Sequence, residues 1–95
     1  MKIVVEAKKQ QIPEFHRIKL DKDYVSFIVQ NKTNAPITFG LPNKRNPEVD
    51  KFTFSLNPGE TFRAFANLDG FKEGDTAYTA LGPDHTSGEI IVILE

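Results

Sequence analysis

Few residues in this chain have side chains suited to catalysis or metal ligation. The densest group lies in AYTALGPDHTSGEIIVIL, residues 77–94, where Asp84, His85, Ser87 and Glu89 fall within one loop; the only other histidine is His16. An imidazole flanked by carboxylates suggests a Cu(II) or Zn(II) ligand, and His85 is the candidate metal residue, with His16 or Glu89 as further donors. A metal site needs several convergent donors, and spacing along a loop does not supply convergence. Asp84, His85 and Ser87 are also the residue types of a catalytic triad. Close neighbours on one loop do not reach the nucleophile, base and orienter geometry of acyl transfer, so no enzyme is expected. With no cysteine in the chain, thiolate nucleophiles, thiolate metal sites and disulfides are excluded.

Composition narrows the field further. Ninety-five residues with 39% hydrophobic content make one domain, residues 1–95, large enough to bury about 60–65% of the surface of its unfolded chain. Eight phenylalanines against two tyrosines and no tryptophan indicate a core built on rings that have no polar atom to satisfy. A net charge of −1 with both signs interspersed gives no electrostatic reason for nucleic acid or an anionic membrane. The mixed set Lys44, Arg45, Glu48, Asp50 and Lys51 reads as a solvated surface rather than a phosphate track. The longest apolar run, Ile90 to Leu94, is far short of the roughly 20 residues that span a bilayer. No leader is expected before the first strand, no cofactor is expected, and a monomer is expected. The NKT tripeptide at Asn31 fits the glycosylation pattern but decides nothing.

The elements that must position these residues are short strands. KIVVEA sets Ile3 and Val5 against Val4, and FHRIKL sets Phe15, Arg17 and Lys19 against His16, Ile18 and Leu20. YVSFIVQN places Val25, Phe27 and Val29 on one face, the period-two pattern of a half-buried strand. A proline-rich crossing follows, with a short strand around Ile37 to Phe39. KFTFSL (Phe52, Phe54 and Leu56 on one face) and TFRAFANL (Phe62, Ala64 and Ala66 on one face) flank the turn NPGE and read as a hairpin. TAYTAL and EIIVIL close the chain. Phe65 and Phe71 break the alternation and are expected to pack beneath loops. Charges such as Lys8, Lys9 and Glu95 are placed to protect strand edges. About eight strands without a helical period indicate an all-β Greek-key sandwich or barrel.

In motif order the sequence resembles the cupredoxins, the copper-binding β-sandwich family. IPEFHRIKL, VSFIVQNKTNAPITF and SLNPGET resemble family segments over most of the chain. Gly74, Tyr78, Ala80, His85 and Gly88 then follow the family's closing order of glycine, aromatic, cysteine, histidine and glycine. The resemblance implies an eight-stranded cupredoxin-like Greek-key sandwich and an exported location. It also puts Ile37 at the first histidine position, Ala80 at the cysteine, and Glu89 or Ser87 near the axial ligand, so only His85 matches. A type 1 copper site needs a thiolate and two imidazoles, which makes this a degenerate copper site with Ile37 and Ala80 turned into core. The function expected is a non-catalytic scaffold or protein-interaction module using the loops around Pro36–Pro47 and Gly82–Ser87. The alternatives are weak Cu(II)/Zn(II) handling through His85, or a redesigned cupredoxin scaffold without native activity.

Overall fold

The computed structural model describes residues 1–42, 51–65 and 71–95. Eight strands run β1 Lys2–Glu6, β2 Glu14–Lys19, β3 Ser26–Asn31, β4 Ile37–Pro42, β5 Lys51–Leu56, β6 Thr61–Phe65, β7 Thr76–Leu81 and β8 Glu89–Leu94. They form two four-stranded sheets, ordered β1-β8-β3-β6 and β2-β7-β4-β5, and every strand pair is antiparallel. The expected sandwich of about eight strands is present, and the described residues contain no helix. Among the described residues no helix is therefore long and apolar enough to cross a membrane.

Each sheet turns one face inward because its side chains alternate. Phe27 and Val29 of β3, Ile90, Val92 and Leu94 of β8, Ile37 and Phe39 of β4, and Ala77 and Leu81 of β7 are all buried between the sheets. Phenylalanine rings tie the layers together: Phe27 meets Phe39 edge-on at 5.5 Å, Phe39 meets Phe54 at 5.7 Å, and Phe54 stacks on Phe62 at 3.9 Å. Such pairs add about 0.5–1.5 kcal/mol each beyond the area they bury. Phe71 packs as expected, with its ring 5.7 Å from Phe27 and its backbone bridged to Tyr24.

Three expectations are corrected. The segments read as a hairpin do not pair: β5 lies beside β4 in one sheet, and β6 beside β3 in the other. The Pro58–Gly59 turn therefore crosses between layers. It is anchored there by the N–H of Gly59, which donates to the carbonyl of Asn31 at 2.7 Å; Gly59 adopts the positive φ of 86° that glycine takes without a Cβ clash. Val25 does not join Phe27 and Val29 inside. The chain bends before β3, the Val25 N–H pairs with the carbonyl of Glu95, and its side chain is 69% exposed.

The third correction concerns the supposed ligand positions. Phe39 pairs with Thr79 and Gly40 with Tyr78, and continuing that register sets Ile37 beside Leu81 and Thr38 beside Ala80. Ile37 is 2% exposed in the core, whereas Ala80 is only half-buried and lines the outward face. Residues on opposite faces of a sheet cannot be two ligands of one ion. Ile37 has become core as expected; Ala80 has not.

Candidate functional site

The loop that drew attention in the sequence is a brace. His85 is 9% exposed and uses both ring nitrogens: Nδ1 accepts from the N–H of Gly82 at 2.9 Å, and Nε2 lies 2.7 Å from the carbonyl oxygen of Pro36. These partners assign a neutral ring with its proton on Nε2, donating to Pro36. A metal at either nitrogen would have to displace one of these bonds. Among the described residues no three His, Asp or Glu side chains gather as a metal site. Glu89 sits at the start of β8 opposite Glu6, Ser87 is exposed, and His16 lies on β2 opposite Thr79.

Of the first loop expected to act, Pro36–Pro47, only Pro36 among the described residues meets the Gly82–Ser87 loop, through His85; Ile37–Pro42 is strand β4, and the other contacts to the second loop come from the residues just before Pro36. The Asn34 side chain donates to the carbonyl of Asp84 at 2.9 Å and accepts from the N–H groups of Thr86 and Ser87 at 2.9 and 3.1 Å. Behind it, Asn31 is buried at 1% exposure. Its Nδ2 donates to the carbonyls of Ala35 and Leu56, both at 3.0 Å, while Oδ1 accepts from the N–H and the hydroxyl of Thr33. Gly88 closes the contact, since a Cβ there would lie 2.0 Å from the carbonyl oxygen of Lys32. Residues 32–36 and 82–88 are thus stitched side chain to backbone. Residues 43–47 of the first expected loop, with Lys44 and Arg45, lie outside the described residues.

Among the described residues, two concave regions bear on function. One, of about 650 Å³, lies between the edge strands β1 and β2 and includes His16, Glu14, Glu6, Lys8 and Ile18. His16 Nε2 is buried without a hydrogen-bond partner, 3.7 Å from Glu14 Oε1. Carboxylates and amines mixed around this slot can neutralise one another. The second, of about 340 Å³, lies on the outward face of β2-β7-β4-β5. Phe15 and Arg17 from β2 and Tyr78 from β7 stand over a low floor of Ala80, Thr38, Gly40 and Thr53. The register aligns Phe15 with Ala80 and Arg17 with Tyr78, and Gly40 with Thr53. Phe15 is 78% exposed, because β2 buries its opposite face through Ile18, continued just past the strand by Leu20.

This cleft was not singled out from the sequence. Its signal was the placement of Phe15 opposite Ile18 and Leu20 in the alternation of β2, which made either the ring or the aliphatics the exposed set.

No protein-family profile matches the chain, and no curated protein matches it. Solved structures do. PirA superposes with a TM-score of 0.57 at 8% identity, over 100% of this chain and 92% of PirA. A de novo designed double-stranded β-helix superposes at 0.51 with 19% identity, over 100% of this chain and 96% of the design. The chain has that fold. At these identities the likeness speaks to fold alone, and the strand order β1-β8-β3-β6 over β2-β7-β4-β5 is its physical content. Hydroxypropylphosphonic acid epoxidase from S. wedmorenis, in complex with fosfomycin, aligns at a TM-score of 0.49 and 11% identity; the chain spans only 41% of that enzyme's length. Of the cupredoxin expectation, the coarser part stands: an all-β sandwich of eight strands in two sheets.

Proposed function

We propose that this double-stranded β-helix is a non-catalytic binding module that works through the outward cleft of β2-β7-β4-β5. The observation that carries this is the contrast between interior and surface. Between the sheets, apolar side chains fill the space, and the buried side chains of Asn31, Thr33, Thr79 and His85 are spent on the protein's own groups. Catalysis needs polar groups available to a substrate. The outward cleft instead combines a solvent-facing phenylalanine with a cation and hydroxyls, the mix of apolar wall and few polar groups that a binding site uses.

The loops at residues 32–36 and 82–88 spend their polar groups on each other, so the interaction surface moves from the loop end to the sheet face. Metal handling through His85 loses ground because both of its nitrogens are engaged. Amide NMR with a small-fragment library tests the reading. Shifts are expected to cluster on β2, β4 and β7 around Phe15, Thr38 and Ala80. Hits confined to residues 82–88, or to the slot beside His16, would overturn it.

A further inference from the structure

Resting on that reading of the sheet face, we infer that the cleft takes an acidic sugar, a pyranose unit bearing a carboxylate. Along β2 the outward positions are Phe15, Arg17 and Lys19, all exposed. Among the described outward positions of this sheet, these two cations meet no carboxylate: β7 contributes Thr76, Tyr78 and Ala80, β4 Thr38 and Gly40, and β5 Thr53 and Ser55. The face is therefore complementary to an anion. Two cations are too few for a nucleic-acid backbone, whose binding rests on many phosphate contacts.

The floor does not favour a peptide. β7 and β4 are the interior strands of the sheet, so across the floor, unlike at the β2 edge, the ladder groups are committed to neighbours and offer nothing to an added strand. What the floor presents are side-chain hydroxyls, Thr38 and Thr53, each able to donate and accept and so suited to a ligand rich in hydroxyls. Phe15 supplies an apolar ring for the C–H face of a sugar. Arg17 stands two residues along, roughly 7 Å away on the same face, which is the span of one sugar ring and its carboxylate. Its planar guanidinium matches a carboxylate with two parallel hydrogen bonds.

The test is an amide-NMR titration of the full chain with trigalacturonate, galactotriose and benzoate. Trigalacturonate is expected to shift Phe15, Ala80, Thr38 and their neighbours saturably. Raising salt from about 0.05 to about 0.5 M should weaken it, since the exposed charges become screened. Arg17→Gln should weaken binding about tenfold, as expected for loss of a charge-assisted pair, with Arg17→Lys intermediate; Phe15→Ala should weaken it several-fold. Both positions are exposed, so the fold should persist, and the unperturbed remainder of each spectrum reports it. Galactotriose binding as tightly as trigalacturonate would show that no carboxylate is read and would overturn the inference. Benzoate matching trigalacturonate would overturn the sugar. Fragments that mark the face while trigalacturonate leaves it unshifted would overturn the ligand class and keep the binding face; silence from both would remove both.

Discussion

Replacing His85 with alanine separates a structural ring from a metal ligand. The substitution leaves the N–H of Gly82 and the carbonyl of Pro36 without their partners at 2.9 and 2.7 Å. Each bond contributes about 1 kcal/mol net, and removing a ring that is 9% exposed adds about 1 kcal/mol of lost burial. The sum, about 3 kcal/mol, is a large fraction of the 5–15 kcal/mol typical of a domain. At about 4–8 °C per kcal/mol for a chain of this size, His85→Ala should lower Tm by about 12–24 °C, measured by far-ultraviolet circular dichroism. Gln carries both a donor and an acceptor, so His85→Gln should recover more of the loss than His85→Leu, which packing alone would not predict. The same melts are repeated with excess Cu(II) or Zn(II). A ligand at a hundred times its Kd would add about 2.7 kcal/mol to the native state, an unmistakable rise in Tm. The brace predicts no rise that depends on His85. A variant melting within about 3 °C of the parent, or a metal-induced rise in the parent that His85→Ala abolishes, would refute the reasoning.

Other perturbations follow from the same geometry. Asn31→Asp exchanges an amide that donates to two carbonyls for a carboxyl facing the same two oxygens, so in urea it should cost at least as much as Asn31→Ala, about 3 kcal/mol or more; a loss under about 1 kcal/mol for either would contradict the network. Gly88→Ala combines a φ of +90° with a Cβ 2.0 Å from backbone, and should cost about 3 kcal/mol or more, because neither backbone segment can yield cheaply; the check is its denaturation midpoint. The Tyr24 hydroxyl donates to Asp21, and this hydrogen bond, helped by burial, pushes the phenol up to about 12 while lowering the Asp21 carboxyl. Because the folded value of Tyr24 is raised, its contribution is complete below the ordinary phenol range and is lost as pH rises through about 12. That of Asp21 is present above its ordinary range and is lost as pH falls through the depressed value. Tyrosinate absorbance should therefore show one late-titrating tyrosine, shifted back toward the ordinary value by Asp21→Asn; an unchanged titration curve would break the assignment.

The period-two pattern carried much of the fold. Phe27 with Val29, and Ile37 with Phe39, face the core as their alternation implied, and Ile90, Val92 and Leu94 do so within an almost wholly apolar run. Alternation names faces, however, and not partners. Pro58–Gly59 is turn chemistry that serves a hairpin or a crossing equally well, and only the docking of Gly59 on Asn31 chose the crossing. Ala80 shows the same limit. TAYTAL offers Tyr78 and Ala80, or Ala77 and Leu81, as its inward set, and placing Ala80 in the core took the outward one. With a period of two, one step of register exchanges the faces, so Ala80 moved from a ligand position to the floor of the outward cleft.

The sequence by itself determined an all-β domain, no thiolate chemistry and no charge signature for nucleic acid, because composition and alternation are local properties; the described core is mainly aliphatic, with Phe27 and Phe39 its fully buried rings. Tertiary structure decided the rest. One of the two partners of His85, Pro36, lies 49 residues away in the chain, and the partners of Asn34 lie 50 or more away; the cleft joins side chains from four strands that only the ladder brings into line. Such long-range pairing sets what each side chain meets, and with it whether a histidine in a loop is a ligand or a brace.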